Sequence, residues 1–380
     1  MDFTLTEAQQ DLAGLTRSIV TDIVTNEHLR ALDATDDRID HVLWDALASS
    51  GVLGAALPEP VGGDGYGPLE QASILLELGR GVAAIPYLTS IAVSASAIAE
   101  FGTDAQRSAW GEPAAAGEKI LTAALAEELN DDPTAPTTRA RTVGDRRVLD
   151  GVKIMVDTAP AADGFLVPAA TGDGVSVFLV CADDPGVRIT RQHTTDHGSY
   201  GILTLEGVEL GSDRVLGTEN AAGTGGAGAA PVAAWLRDRM LLGSAAYQCG
   251  VLERAVELTA QYARERLQFD RPIGSYQAVA QRLADAYIDV KAVRLTLWQA
   301  AFRISRGDSH TQELRSAAFW AADAGHRVAH TAVHVHGGVG LDEDHPVHRY
   351  FLAAKQHEFL MGSATTQLRA LGRELADTPA

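Results

Sequence analysis

Residues that could do chemistry gather in two places. The first is the stretch TAVHVHGGVGLDEDHPVHRYF, residues 331–351, where histidines and two adjacent glycines separate two apolar, helix-like runs. His330 and His334 are four apart and would share one helix face, a spacing that metal ligands use. His336 falls off that face, and Gly337-Gly338 would end the helix at once. No Glu stands between the histidines as in a metalloprotease helix, and no carboxylate lies one turn away. Packed or hydrogen-bonded histidines are the simpler reading, and no metal is expected. The glycines offer different chemistry. Without a Cβ, the backbone at a helix end can approach a ligand closely, and phosphate is the usual beneficiary. Glycine is also the commonest helix C-cap, so this stretch needs a second element.

That element is ARERLQFDRPIGSYQAVAQRLAD, residues 263–285. One helix is expected to end with Arg264, Arg266 and Phe269, with Pro272 and Gly274 making the turn and Ser275 capping the next helix. Arg266 and Phe269, three apart, would share a face, setting a cation for a phosphate beside a ring for a planar group. Gln277 would sit in the first turn of the new helix, where amides and dipole favour an anion. The same residues also describe an ordinary capped helical hairpin with solvated arginines.

The elements that must position these residues fall into three zones. Residues 1–117 read as a helical domain: Thr6 and Gln9 form a capping pattern, and apolar residues recur at helical spacing through LAGLTRSIV, HVLWDALASSGVLG and LEQASILLELGRGVAAIPYL. The turn PEPVGGDGYGP punctuates this zone. Residues 118–220 change period. RRVLDGVKIMV, DGFLVPAA, GVSVFLVCA, GVRIT and GILTLEGVEL are short and β-branched, with Gly, Asp and Pro between them, as in an antiparallel barrel or sandwich. A Gly/Ala segment, 221–230, reads as a flexible linker. From 231 to 380, long helical runs joined by short turns describe an antiparallel four-helix bundle. The fold class is therefore α+β and multi-domain, in the order α, β, α, with no internal repeat of 20–50 residues.

Composition sets outer limits. The chain has 380 residues and 46% hydrophobic content, enough for a substantial core. Its start, MDFTLTEAQQ, shows no signal-peptide pattern, and no run reaches the roughly 18 apolar residues of a membrane span. Two distant cysteines, Cys181 and Cys249, make no disulfide framework, so a reducing cytoplasm is the simplest setting. The net charge of −19 argues against nucleic acid or an anionic membrane as partner, and an anionic ligand would need a local basic patch.

The order R-x-x-F-x-R-P-I-x-x-x-Q-A-V-x-x-R-L-A-D, followed by H-V-H-G-G-V-G and H-P-V-H-R-Y-F, resembles the C-terminal half of the acyl-CoA dehydrogenase family. The likeness extends over nearly the whole chain through the α–β–α order. It implies a FAD-dependent enzyme that takes a proton alpha to a thioester carbonyl and passes the beta hydride to the flavin. By that resemblance Arg266, Phe269 and Gln277, with His334 (usually Gln in the family), Gly337, Gly338 and Ser363, would hold the adenosine and pyrophosphate part of FAD, reaching into a neighbouring subunit's site. The histidine–glycine stretch is then a cofactor cradle.

Departures from the family pattern narrow the expectation. The family's glycine-rich loop at flavin and substrate is here LAEELNDDPTAPTTRA, residues 125–140, without glycine. The strand that covers the flavin ring is KIMVDTA: Met155 replaces Trp, and Asp157 replaces a hydroxyl residue. An acid there would repel a flavin that becomes anionic on reduction. One family position for the catalytic Glu is Met361, followed by Gly362, and the other aligns with Asp238-Arg239, a carboxylate one methylene shorter. A chain that keeps the donated half of the FAD site and loses its own half resembles the subunit lacking the usual catalytic Glu in actinobacterial α2β2 acyl-CoA dehydrogenases of steroid side-chain degradation. The resemblance implies a heterotetramer with a paralogous subunit that supplies the base, acting on an acyl-CoA thioester. Two alternatives stay open: a homomeric dehydrogenase using Asp238 as base, and a flavin-free scaffold or acyl-CoA-binding paralogue.

Overall fold

The computed structural model describes residues 4–217, 230–360 and 362–377. They divide into two compact units, one of residues 1–30, 68–83 and 241–380, the other of 31–67 and 84–240. The elements follow the order helices, sheet, helices expected from periodicity. The N-terminal helices are α1 (Glu7–Ile23), α2 (Asn26–Asp33), α3 (His41–Ser49) and α4 (Pro68–Arg80), followed by a wide helical turn over Tyr87–Ala95 that continues as α5 (Ser96–Phe101). The capping pattern at the chain start is present: Thr6 Oγ1 accepts from Gln9 N, and Gln9 Oε1 accepts from Thr6 N.

The strands are β1 (Leu121–Ala123), β2 (Arg139–Val143), β3 (Arg146–Asp157), β4 (Gly164–Thr171), β5 (Gly174–Cys181), β6 (Val187–Gln192), β7 (Tyr200–Leu210) and β8 (Val215–Leu216). They make one sheet in the order β6-β7-β3-β2-β4-β5-β8, with β1 beside β4. Pairing is antiparallel except where β4 meets β1 and β2. The five apolar runs in the sequence are β3 to β7. The short strands β1, β2 and β8 escaped the reading because two or three buried residues, or the mostly polar RARTV, carry no period-2 signal. One face of the sheet buries Leu149, Val156, Phe165, Val167, Phe178, Val180, Leu203 and Leu205 in a single core. Register shifts interrupt the β3–β7 ladder between Lys153 and Val156, where Met155 takes a positive φ of 51°.

The C-terminal helices are α6 (Ala230–Glu265), α7 (Gln277–Ser305), α8 (Thr311–His336), α9 (Val347–Phe359) and α10 (Ala364–Asp377), with a two-stranded hairpin, β9 (Leu267–Gln268) and β10 (Arg271–Pro272), between α6 and α7. α8 packs against α7, α9 and α10 through a stripe of small residues, Ala317, Ala318, Ala321, Ala322, Gly325 and Ala329. Small side chains let helix backbones approach closely. α4 joins this unit by the same means. A Cβ at Gly250 of α6 would collide with the Leu76 carbonyl, and one at Gly79 of α4 with the Tyr247 carbonyl. Arg80 then ties α4 to α6 through Glu253 and Glu257.

One expectation changes here, and one falls outside the described residues. The run HRYFLAAKQHEFLMGSATTQLRALGREL is not one helix: it breaks between Phe359 and Ala364, where Gly362 has a φ of +84°. The bundle therefore has five helices among the described residues. The segment expected as a linker, 221–230, lies outside the described residues except for Ala230, which opens α6, and Met361 lies outside them too.

Candidate functional site

Of the residues expected to cradle a dinucleotide, Arg266, Phe269, Gly337 and Gly338 lie on two chain turns that leave from a pair of stacked rings, while Gln277 opens α7, His334 lies within α8 and Ser363 precedes α10. α6 closes with Arg266 N donating to Tyr262 O at 2.8 Å. α8 closes at His336, and Gly337 follows with φ 63° and ψ −137°, a conformation only glycine adopts freely. The Tyr262 and His336 rings stack at 4.4 Å between centroids. The end of α6, carrying Arg266, and the end of α8, carrying Gly337 and Gly338, are thus held against each other.

The hairpin corrects the sequence reading in two ways. Helix α6 stops at Glu265, so Arg266 and Phe269 do not share a helix face. Leu267 pairs with Pro272 and Gln268 with Arg271, and the turn between them is Phe269-Asp270, both at positive φ (52° and 62°). Backbone pairing across a two-residue turn outcompetes another turn of helix, and it throws the Phe269 ring outward, 88% exposed. Ser275 does not cap α7. Its Oγ donates to Pro272 O at 2.7 Å, and Tyr276 holds the N-cap position, so Gln277 opens the helix as expected. Tyr276 also steadies the hairpin: its hydroxyl donates to Gln268 O at 3.0 Å, and the Arg271 guanidinium lies 4.0 Å over its ring.

Arg266, Phe269, Gln277, His334, Gly337 and Gly338 are all exposed, and Ser363 is half-buried before α10. Arg266 makes no ion pair among the described residues. His330 and His334 are exposed along α8, whereas His336 is 3% exposed. Its Nδ1 donates to Ala332 O at 2.8 Å, and its Nε2 is buried without a partner. None of these histidines belongs to a metal-spaced group. Among the described residues that spacing occurs at Cys181, Asp183 and Asp184, where Arg214 already sits 2.8 Å from the Cys181 Sγ and 2.5 Å from Asp184.

The glycine-free loop 125–140, the KIMVDTA strand and Asp238, which depart from the family pattern, lie in the other unit. The loop after β1 is pinned by a buried pair, Lys153 Nζ 2.7 Å from Glu127 Oε1, with Glu127 also accepting from Thr137 and Thr138. Burial alone would raise the Glu127 carboxyl, but bonds from Lys153, Thr137 and Thr138 hold it well below the usual carboxylate range. The sequence reading missed this pair. A lone Lys and Glu 26 residues apart carry no signal until the β3 bulge brings them together. Asp157 accepts from Thr89 Oγ1 at 3.0 Å and from Thr158 Oγ1 at 3.2 Å. Burial pushes its carboxyl up to about 6 against those bonds. Asp238 accepts from Arg237 Nε at 3.0 Å and Nη2 at 2.9 Å. Its sequence neighbour Arg239 instead lies 4.7 Å over the Trp235 ring, and burial lowers its guanidinium to about 10.

The profile of the acyl-CoA dehydrogenase N-terminal domain matches residues 6–118, and that of the C-terminal domain matches 231–376. The chain belongs to the acyl-CoA dehydrogenase family. Acyl-CoA dehydrogenase FadE27 of Mycobacterium tuberculosis is 51% identical over 388 residues, covering all of both chains. FadE28 of the same organism is 30% identical over 377 residues, covering 98% of each. Among solved structures, a chain of the ChsE4–ChsE5 complex from Mycobacterium tuberculosis superposes with a TM-score of 0.94 at 52% identity over all of both chains. A chain of the Tcur3481–Tcur3483 steroid acyl-CoA dehydrogenase superposes with a TM-score of 0.91 at 39% identity, covering 98% of this chain and 99% of that one.

The cofactor of the family is FAD, and the cradle fits part of it. An unpaired guanidinium and an exposed ring suit a phosphate and a planar heterocycle. At Gly337 an added Cβ would meet nothing within 4 Å, which leaves room beside the turn, and the His336 Nε2 is an orphaned acceptor beneath it. No helix among the described residues is long and apolar enough to cross a membrane.

Proposed function

We propose that this chain is one subunit of a heteromeric, FAD-dependent acyl-CoA dehydrogenase that desaturates a steroid side-chain CoA thioester between the alpha and beta carbons. Its partner is a paralogous subunit, and the assembly is an α2β2 heterotetramer. Arg266, Phe269, Gln277, His334, Gly337, Gly338 and Ser363 hold the adenosine and pyrophosphate end of a FAD whose ring lies in the partner. When bound, FAD supplies the acceptor for the beta hydride, while a carboxylate base takes the alpha proton. In this chain Arg266 binds the pyrophosphate, Phe269 covers a planar group, and the glycine turn admits the ligand's backbone-facing side. The observation that carries the reading is the asymmetry of the chain. The cradle is open and unpaired, whereas the only residue at an acceptable base position among those described, Asp238, is already engaged by Arg237. The ChsE4–ChsE5 and Tcur3481–Tcur3483 complexes both support the heteromer, and the second, a steroid acyl-CoA dehydrogenase, supports the substrate class.

Replacing Asp238 tests the assignment of the base to the partner. In the assembled enzyme Asp238→Ala is expected to keep kcat within about threefold of the parent, because loss of a true general base costs on the order of 10²-fold or more. A loss of that larger size with flavin still bound would assign the base to this chain and sink the heteromer's division of labour.

A further inference from the structure

We propose that His336 is a positioning residue for the dinucleotide cradle, acting through its ring, which stacks on Tyr262 and packs at a tilt against His345; this rests on the FAD-cradle reading of Arg266 and Gly337-Gly338. Three chain segments meet at this imidazole. Tyr262 lies on α6, one turn before Arg266, whose N–H bonds to the Tyr262 carbonyl. His336 is the last residue of α8 and directly precedes the glycine turn. His345 lies in the loop that enters α9, with its ring 5.0 Å from that of His336 and 6.4 Å from that of Tyr262. The turn Gly337–Leu341 folds back on the same spot, because a Cβ at Gly340 would stand 3.0 Å from Val333 and 3.3 Å from the His336 Cβ. The spacing between the Arg266 turn and the glycine turn therefore rests on packed rings, Tyr262 stacked on His336 with His345 tilted against one and edge-on to the other, and no direct bond joins the two turns among those described.

The protonation pattern keeps the stack neutral. The Ala332 carbonyl accepts from His336 Nδ1, which places the proton there and leaves Nε2 as an acceptor. Val347 N donates to His345 Nδ1 at 3.3 Å, so His345 carries its proton on Nε2. Burial lowers both imidazoles below the ordinary histidine value, and each neutral ring can stack without adding a second cation beside Arg266. The charged groups facing the pair are few: Asp342 and His348 act on His345, and the phenol of Tyr262 faces His336.

His336 has two separable features, a ring and a backbone-bonding N–H, and two substitutions separate them. His336→Phe keeps the ring and loses the bond to Ala332; His336→Asn keeps a donor for that carbonyl and loses the ring. The readout is FAD affinity of the assembled complex, titrated at pH 7.5 by flavin fluorescence, beside its melting temperature. If stacking positions the cradle, the Phe variant binds FAD within about twofold of the parent, and the Asn variant binds about three- to tenfold more weakly, the range an aromatic pair contributes. A Phe variant as weak as Asn, or an Asn variant with parental affinity, would overturn the proposal. Should His336→Asn fail to fold, His345→Leu takes its place, and parental FAD affinity in that variant would overturn the proposal equally. Arg266→Ala is the control for the underlying reading. It should weaken FAD about ten- to a hundredfold, as for a lost charge-assisted bond. Unchanged affinity there would remove the cradle itself, whereas loss in Arg266→Ala alone would remove only the role of His336.

Discussion

Asp157 shows how a single residue records a change of role. A carboxyl whose folded value is about 6, against an ordinary value of 3.8, binds its proton more tightly in the folded chain than in the unfolded one. Its ionisation therefore costs stability, a cost absent at pH 4, growing through pH 4–6 and complete above about 6. Asp157→Asn keeps an acceptor for Thr89 and Thr158 and removes the charge. It is expected to raise stability at pH 7.5 by about 1–3 kcal/mol and to leave it unchanged near pH 4, as read from urea melts of the complex at the two pH values. A variant that is equally stable or weaker at pH 7.5 would mean the carboxylate is solvated. The presence of an acid in β3 was legible in KIMVDTA; its engagement by Thr89, a residue of a different segment, was not. Likewise Asp238-Arg239 reads as a pair in the sequence, but the carboxylate is taken by its other neighbour. The Asp bonds to Arg237 by a local fold of that side chain, and Arg239 turns to Trp235.

At the scale of elements, the long periodic runs were plain: α6, α7, α8 and the strands β3 to β7 were all visible from spacing alone. What stayed hidden was set by tertiary contact. The hairpin between α6 and α7 turns on Phe269-Asp270 at positive φ, where the usual signal would be Asn-Gly or Asp-Gly. A Phe in that conformation is disfavoured, and such strain concentrates at ligand sites, in keeping with the exposed ring. Ser275 looked like a cap because its residue type is right, but the Pro272 carbonyl captured its hydroxyl first. The crossing of α4 and α6 was equally silent, since Gly79 and Gly250 read only as weak points in helices. The backbone contact they allow makes a sharp prediction. Gly250→Ala should destabilise the fold by about 1–3 kcal/mol, the usual cost of overpacking, despite the better helix propensity of Ala. A thermal melt equal to or above the parent's would show that the helices part without strain.

For the molecule as a whole, the chain carries a net charge of −19, and its exposed hairpin bears Arg271 beside Arg266. Leu267 and Phe269 on the hairpin, Tyr287, Ile288 and Leu295 on α7, and Phe359, Leu368 and Leu375 further on are all exposed. A contiguous apolar surface marks an interface or an aggregation hazard. Expressed alone, the chain should hold little FAD and aggregate; with its paralogous partner, FAD and assembly should stabilise one another by mass action. The α–β–α order was readable from the sequence, whereas the proposed cradle rests on the family resemblance and the partner on what this chain lacks. The most direct test is therefore the ratio of flavin to protein, measured by absorbance on the size-resolved complex. With one complete FAD site per pair of unlike chains, an α2β2 tetramer should carry two flavins. Four flavins in a tetramer of this chain alone, turning over an acyl-CoA, would contradict the division of the site between subunits.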